Sequence, residues 1–301
     1  MIDLHVHTTN SDGKLTEIET LKKAQKIGLR AISITDHNTC KAYDKLKGVN
    51  LSDLYQGELI RGCEFNTIVD NVPIELLGYD IDTDYIQARI GEYYLPFRES
   101  NIYETNLLIQ RCLDLGLKLN VDDIQYDEKT EYGNRGVHRE IVKHIENKKF
   151  LTEKSWNDPH HFSVNHIGNP KSRFFIDTSN LIPDYREVVK FIRDSGGKVF
   201  IPHVFKYRDK SMEVLNKLLD EHCLDGIECY HSTYSVQQHL YLADLCKKLG
   251  LNISGGTDTH GTPDIELGIG NGNMNIPDNI LDTWHKIKKE KKEKENLKNE
   301  R

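Results

Sequence analysis

The chain contains no long run of apolar residues. No window of its 301 residues approaches the run of about 18 apolar residues that a membrane-spanning helix needs, which argues against an integral membrane protein. The first residues have the pattern of a strand rather than the basic and apolar segments of a secretory signal. We therefore expect a soluble, cytoplasmic protein with no membrane partner.

The sequence also lacks paired cysteine motifs and an excess of positive charge. Its six cysteines show no C-x-x-C spacing, and the chain is long enough to form a core without disulfides, so we interpret them as reduced. The net charge is −7, and it is −11 without the segment Lys286–Arg301, which carries +4. An acidic body argues against stable binding of duplex nucleic acid. The basic segment could make weak phosphate contacts, but a solvated helix end or frayed terminus is the favoured interpretation.

Short apolar runs alternate with amphipathic segments along much of the chain. Thr16 and Glu19 have capping-box spacing, and a helical apolar stripe then runs to Gly28. Further helices are predicted over 183–194 and 237–249. Strand–helix–strand order is typical of a parallel sheet, and one α/β barrel commonly uses about 200 to 250 residues. The sequence therefore predicts an α/β barrel.

The alternation breaks down between residues 91 and 180. Helical stretches at 101–115 and 138–147 precede a loop rich in His, Asn and Pro. We predict an inserted helical cap over 91–180, a barrel formed by 1–90 and 181–282, and a charged C-terminal tail over 283–301. The loop histidines could indicate another metal site, but no carboxylate or strand end holds them in a common geometry, so we interpret them as surface residues. They are His160, His161 and His166.

Six predicted strands carry an ionisable side chain at or beside the C-terminal end. These strands cover residues 2–7, 31–35, 59–63, 198–202, 226–230 and 251–257. The side chains are His5, His7, Asp36, His37, Glu64, His203, His231, Asp258 and His260. Parallel strands of a barrel direct their C-terminal ends to one mouth, where active sites are assembled. An ordinary strand would explain a lone His-x-His pair, but the recurrence favours a metal-dependent hydrolase.

The same segments stand in the order of motifs found in a known family. They resemble the successive motifs of the polymerase and histidinol phosphatase (PHP) superfamily: Asp3–Thr8 with Ser11–Gly13, Ile34–Asn38, Gly62–Glu64, Ile201–His203 and Gly255–Gly261. The chain is most similar to stand-alone members with an inserted cap, which act on 3′,5′-bisphosphonucleotides and short RNA 5′ ends. The resemblance implies a distorted (β/α)7 barrel of the TIM type and two or three divalent metal ions, with Mn²⁺ favoured and Fe²⁺ or Zn²⁺ as alternatives.

The resemblance also implies a set of metal ligands. His5, His7, Glu64 and Asp258 would bind the first ion, and Glu64 would bridge to a second ion that also takes His203. Asp12, His37 and His260 would hold a third ion. Many relatives have a histidine before Leu-Leu-Gly-Tyr, whereas this chain has Glu75. As a ligand, Glu75 would favour Mn²⁺ over Zn²⁺, but it could instead point away and leave the second site weak.

The implied chemistry is attack of a metal-activated hydroxide on phosphorus, without a Ser or Cys nucleophile. Asp36 and His231 are candidates for orienting ligands or for delivering a proton, and each could instead be satisfied locally. The segment Gly133–His138 resembles a Gly-Arg-Pro-His segment that opens a cap helix in relatives. Arg135 and His138 are therefore candidate substrate-binding residues, although a plain helix-capping loop explains the segment equally well.

Three functions are consistent with these patterns. The first is a metal-dependent phosphoesterase acting on a small phosphorylated substrate, such as a 3′,5′-bisphosphonucleotide or a short RNA 5′ end. The second is histidinol phosphatase, which the long insert disfavours. The third is a non-catalytic, metal-binding regulatory module, which the nearly complete set of candidate ligands disfavours.

Overall fold

The chain folds into two compact units. The computed structural model describes residues 1–128, 131–272, 274, 276–282 and 284. One unit, the barrel unit, combines Met1–Ile90 with the described part of Pro183–Arg301, and the other, the insert, is Gly91–Ile182. Apart from Trp284, the predicted tail 283–301 lies outside the described residues.

Seven strands of the barrel unit form one sheet in sequence order. They are β1 (Ile2–Val6), β2 (Ala31–Ile34), β3 (Glu58–Val69), β4 (Val72–Tyr79), β5 (Lys198–Ile201), β6 (Gly226–His231) and β7 (Asn252–Gly256). Backbone N–H groups of Asp258 and His7 donate to the carbonyls of His5 and Thr259, at 2.9 and 3.0 Å, and join the two ends of the sheet. The strands thus form a nearly closed barrel, which confirms the predicted fold class.

Strand β4 is the exception to the parallel arrangement. It runs antiparallel to both β3 and β5, whereas the other neighbouring strands of the sheet pair in parallel. Asp70 and Asn71 connect β3 to β4 with φ values of 47° and 65°, a conformation that Asp and Asn tolerate in tight hairpins. The sequence analysis predicted a parallel sheet and did not predict β4, because Pro73 and Glu75 interrupt the apolar pattern of this strand.

Helices surround the sheet and also build the insert. They are α1 (Glu17–Ile27), α2 (Lys41–Leu46), α3 (Leu51–Leu54), α4 (Thr83–Arg89), α5 (Phe97–Asp114), α6 (Gly133–Lys143), α7 (Glu153–Asn157), α8 (Pro159–Phe162), α9 (Tyr185–Asp194), α10 (Ser211–Asp220) and α11 (Val236–Leu249). Short 3₁₀ segments lie at Ile90–Glu92, Val121–Asp123, Ile145–Phe150, Ser179–Leu181 and Val204–Lys210, with one π-helical turn at Ser163–Ile167. None of the helices in the described ranges is long and apolar enough to cross a membrane.

Local capping chemistry sets the ends of the predicted helices. The capping box of Thr16 and Glu19 forms, and Gly28 ends α1 with a φ of 73°. Helix α11 begins at an equivalent box made by Ser235 and Gln238, and it ends at Gly250. These predicted helices therefore form close to their predicted bounds, whereas α10 was not predicted.

Each unit has its own hydrophobic core. Inside the barrel, the rings of Tyr79, Phe200 and Trp284 pack together with centroids 4.8 to 5.3 Å apart. The Trp284 indole N–H donates to the Ile253 carbonyl at 2.8 Å. Barrel packing therefore extends two residues beyond the predicted boundary at 282. The core of the insert is a separate cluster: Leu108, Cys112, Leu117, Val137, Ile141, Phe162, Phe174 and Ile176.

Candidate metal centre

Ionisable side chains from six strands and the loops after them meet at one end of the barrel. The cluster contains His5 on β1, His7 and Asp12 after it, His37 after β2, Glu64 on β3, Glu75 on β4, His203 after β5, and Asp258 and His260 after β7. These are the nine residues for which the family resemblance implied a ligand role. Eight of them assemble because parallel strands end at the same mouth. Glu75 reaches this mouth from the first half of the antiparallel strand β4, where it pairs with Asn66 of β3.

Two backbone features bring these side chains close together. A Cβ atom on Gly256 would lie 2.3 Å from the backbone nitrogen of His5, so only glycine lets β7 approach β1 here. His203 and Asp258 adopt φ values of 28° and 56°, which non-glycine residues rarely do. Such strained conformations cluster at functional sites, where the surrounding structure enforces them.

Glu64 lies at the centre of the cluster and is fully buried. Its Oε2 atom is 3.2 Å from Nε2 of both His5 and His7, and 3.3 Å from Nδ1 of His37. Its Oε1 atom is 3.0 Å from Nε2 of His203. One carboxylate therefore faces four imidazoles, an arrangement suited to bridging two cations.

The candidate ligands fall into three overlapping groups, in each of which the donor atoms lie within 4.8 Å of one another. The first is His5, His7, Glu64 and Asp258; the second is His7, Asp12, His37 and His260; the third is His37, Glu64 and Glu75. Glu75 Oε2 is also 3.2 Å from His203 Nε2. Glu75 thus points towards the cluster, and of its two predicted alternatives the geometry favours the ligand role.

Several donor atoms of the cluster are buried and have no hydrogen-bond partner among the described residues. They are His5 Nε2, both ring nitrogens of His7, His37 Nδ1 and Glu64 Oε2. Burying such atoms without a hydrogen bond costs free energy. Here the imidazole nitrogens and the carboxylate oxygen lie close together, but their angles do not suit hydrogen bonds. Divalent cations such as Mn²⁺, Fe²⁺ or Zn²⁺ take imidazole and carboxylate ligands. The residues present therefore fit a centre of divalent metal ions.

The electrostatics of the cluster show strong coupling between acids and imidazoles. Burial opposes the charged form of His7, but the adjacent carboxylates of Asp258 and Glu64 outweigh it and raise the pKa of His7 to about 10. Burial, Glu64 and Asp258 together raise the pKa of Glu75 to about 8. Burial lowers the pKa of His203 to about 4, so this imidazole is neutral and can donate a lone pair. Protons and metal ions compete for the same atoms, so metal binding should release protons.

Glu228, in the middle of β6, is a site residue that the sequence analysis did not identify. Its Oε1 atom lies 2.8 Å from His5 Nδ1, and its Oε2 atom accepts the backbone N–H of His203 at 2.7 Å. With Nδ1 of His5 engaged in this way, Nε2 is directed at Glu64. A signal was present, because carboxylates are almost never fully buried in an apolar strand without a partner.

Asp36 is buried below the loop that carries Asp12. Its Oδ1 atom accepts hydrogen bonds from the Thr8 backbone N–H at 2.7 Å and from the Ser11 hydroxyl at 2.6 Å. Its Oδ2 atom accepts the Thr8 hydroxyl at 2.6 Å. These contacts occupy both oxygens, so the geometry favours a role in holding the loop over the delivery of a proton.

His231, at the end of β6, contacts a candidate ligand directly. The Thr233 backbone N–H donates to its Nδ1 atom at 3.2 Å, so the proton belongs on Nε2, which lies 3.3 Å from Asp258 Oδ2. Lys206 Nζ lies 2.5 Å from the same carboxylate oxygen, and its side chain is 40% exposed. His231 and Lys206 thus both orient Asp258, and Lys206 also brings a positive charge to the mouth.

Both candidate substrate-binding residues lie on α6 of the insert. His138 is buried, and its Nε2 atom lies 2.8 Å from the Ser155 carbonyl oxygen, so its ring is held inside the insert and direct substrate contact is not supported. Arg135 is exposed. His161 Nδ1 and His166 Nε2 lie 2.7 and 2.9 Å from Ser155 Oγ. These two histidines are half-buried members of a polar network rather than freely exposed side chains.

A barrel that gathers histidines and carboxylates at one mouth is typical of metal-dependent hydrolases. The family model of the PHP domain matches residues 3–220, and the chain therefore belongs to the PHP domain family. A 5′-3′ exoribonuclease of Haemophilus influenzae is 26% identical over 297 residues, which cover 95% of this chain and 98% of that protein.

Two further relatives show how widely the similarity extends. A phosphoribosyl 1,2-cyclic phosphate 1,2-diphosphodiesterase of Eggerthella lenta is 22% identical, with 86% of this chain and 94% of that protein covered. The solved structure of a proposed metal-dependent phosphoesterase from Bifidobacterium adolescentis is 23% identical, with a TM-score of 0.65 and coverage of 93% and 94% of the two chains. The chain is accordingly a metal-dependent phosphoesterase, as predicted.

Proposed function

We propose that this phosphoesterase acts on short RNA 5′ ends or on 3′,5′-bisphosphonucleotides, with two or three divalent ions, Mn²⁺ above all. The observation that carries the multi-metal assignment is the single Glu64 carboxylate facing four imidazoles. The substrate class is supported by the full-length similarity to a 5′-3′ exoribonuclease. Membership of a family of phosphoesterases disfavours the non-catalytic alternative.

In this proposal the candidate ligands would hold two or three cations, in the sets that the family resemblance implied. The first cation would be bound by His5, His7, Glu64 and Asp258. The second cation would be bound by Glu75, His203 and the same Glu64. The third cation would be bound by Asp12, His37 and His260. Glu75 would add a carboxylate oxygen to the ligands of the second cation, and oxygen ligands favour Mn²⁺ over softer ions.

The side chains supply positioning and charge. When bound, divalent cations lower the pKa of water and neutralise phosphate oxygens. Glu228 and His231 hold the imidazole of His5 and the carboxylate of Asp258 in fixed orientations. Lys206 offers an ammonium group at the mouth, where it can attract a phosphate oxygen. Preorganised groups of this kind stabilise developing charge without reorganisation during the reaction.

The proposal is tested by comparing three substrates with Mn²⁺-loaded protein. Phosphate or nucleotide release is measured from 3′,5′-bisphosphoadenosine, a 5′-phosphorylated RNA trinucleotide and histidinol phosphate. We expect turnover of the nucleotide or the RNA to exceed that of histidinol phosphate. A preference for histidinol phosphate would replace the proposed substrate class with the second predicted function.

Variants separate the metal centre from general effects on folding. His7→Ala should abolish most activity and lower the metal content measured by mass spectrometry, while circular dichroism stays unchanged. The matched control is His160→Ala, because His160 is an exposed histidine of the insert. Full metal content and activity in His7→Ala would contradict the assigned ligand role.

A further inference from the structure

The insert carries an exposed aromatic pair close to the start of α6. The rings of Phe97 and Tyr132 pack edge to face, with centroids 5.2 Å apart and an interplanar angle of 78°. Although they touch, the two side chains remain 40% and 42% exposed. Two large aromatic residues held together at the surface offer ring area to a flat ligand.

A buried amide fixes the position of this pair. Asn101 is one helical turn after Phe97 on α5, and its Oδ1 atom accepts the backbone N–H of Gly133 at 2.8 Å. Its Nδ2 atom donates to the carbonyls of Glu128 and Glu131, at 3.2 and 2.9 Å. Tyr132 thus lies between two backbone groups that Asn101 binds. The aromatic pair is therefore preorganised and needs little ordering when a ligand binds.

Close packing between α5 and α6 reinforces this arrangement. A Cβ atom on Gly133 would lie 1.9 Å from the Thr105 hydroxyl oxygen, so glycine is required for the two helices to approach so closely. Thr105 in turn donates its hydroxyl to the Asn101 carbonyl at 2.6 Å. The helix ends that present the two rings are consequently held by packing as well as by hydrogen bonds.

Two glutamates close to the pair in sequence are each paired with an arginine. Glu128 is paired with Arg98 at 2.7 Å, and Glu131 with Arg139 at 2.5 Å. Arg135, three residues after Tyr132, is exposed and forms no salt bridge with any carboxylate in the part of the chain that the structure describes. Its guanidinium is therefore available to an anion, and guanidinium groups bind phosphate through paired N–H donors.

We propose that Phe97, Tyr132 and Arg135 form a surface that binds single-stranded RNA, in which the rings stack on a base and the guanidinium contacts a backbone phosphate. Aromatic platforms next to cationic groups bind single strands in this way with little dependence on sequence. The inference rests on the proposed function, since it concerns how the same enzyme holds an RNA substrate. It makes the insert the element that distinguishes RNA chains from mononucleotides.

The test compares substrates of increasing length. Steady-state kinetics are measured for 3′,5′-bisphosphoadenosine and for 5′-phosphorylated RNA of three and five nucleotides, with the wild type, Phe97→Leu and Tyr132→Leu. Leucine keeps an apolar side chain but removes the ring. We expect KM for the longer RNA to rise roughly fivefold to a hundredfold, the range that corresponds to loss of one stacked base. The effect on kcat should be small.

Two matched variants complete the design. Tyr132→Phe retains the ring and should restore KM for RNA, whereas Tyr103→Leu removes another exposed ring from α5 and should leave it unchanged. Equal KM values for the wild type and both leucine variants would overturn the RNA-binding surface alone. If the wild type cleaves neither RNA nor the bisphosphonucleotide, the proposed function fails. If it cleaves only the bisphosphonucleotide, the RNA-binding surface alone is overturned, so the two failures are distinguishable.

Discussion

Glu228 contacts two candidate ligands at once, through His5 Nδ1 and the backbone N–H of His203. In Glu228→Gln one of these two donors would face an amide N–H instead of an oxygen. Loss of such supporting hydrogen bonds typically weakens metal affinity about 10- to 100-fold. We expect a decrease of that size in Mn²⁺ affinity, measured by calorimetric titration.

The control for this prediction is a glutamate that lies outside the cluster. Glu213→Gln removes an exposed carboxylate of α10 that pairs with Lys210. Its Mn²⁺ affinity should match that of the wild type. If Glu228→Gln also bound Mn²⁺ like the wild type, the supporting role of Glu228 would be wrong.

Glu75 is the proposed carboxylate ligand of the second cation, beside Glu64 and His203. It stands where many PHP relatives have a histidine, and its Oε2 atom faces His203 Nε2 at 3.2 Å. Replacing the hard carboxylate by a softer imidazole, in Glu75→His, should increase the Zn²⁺-to-Mn²⁺ ratio of bound metal. The measurement is competitive loading followed by metal analysis, with Glu75→Gln as the control that only removes the ligand. An unchanged ratio in Glu75→His would mean that Glu75 is a bystander.

Helix α6 carries a buried carboxylate, Glu140, which accepts a hydrogen bond from the backbone N–H of Asn120. Burial opposes ionisation of Glu140, but Lys143, the Asn120 N–H and His144 outweigh it and lower the pKa of Glu140 to about 2. The pKa of a glutamate in an unfolded chain is about 4.3. Because the folded pKa is depressed, the stabilisation is complete above about pH 4.3 and is lost as the pH falls towards 2.

Glu140→Gln should therefore lower the melting temperature, and the difference from the wild type should shrink as the pH falls from 5 towards 2. The measurement is a series of thermal unfolding curves across this range. Glu99→Gln on α5 is the control, because Glu99 is exposed. A difference that stays constant with pH would show that the effect of Glu140 is steric rather than electrostatic.

The barrel depends on a residue close to the C-terminus. Trp284 is 2% exposed, packs on Tyr79 and Phe200, and donates to the Ile253 carbonyl. Truncating a buried tryptophan to alanine typically costs about 3–5 kcal/mol. Trp284→Ala should lower the free energy of unfolding by that amount in urea titrations followed by circular dichroism. Trp284→Phe should lose less, and a wild-type value for Trp284→Ala would exclude a role of Trp284 in the core.

Helix ends and strand ends differ in how far sequence predicts them. Helices α1 and α11 follow from capping boxes and terminal glycines, because these are interactions between residues three or four apart. No apolar pattern in the sequence predicts strand β4. This strand is stabilised by pairing with β3 on one side and β5 on the other. Without β4, the sequence analysis could name Glu75 as a candidate ligand but could not decide whether its side chain points towards the cluster.

The sequence by itself determined the family, the α/β barrel and the residue types of the metal centre. The family followed from the order of the motifs. The site followed because parallel strands of a barrel bring their C-terminal ends to one mouth, whatever the details of packing. Only the tertiary structure decided which atoms face one another: that Glu64 lies among four imidazoles, that Glu75 points inward, and that Glu228 supports His5. These contacts join residues far apart in the chain, so their distances depend on strand pairing and packing rather than on local sequence.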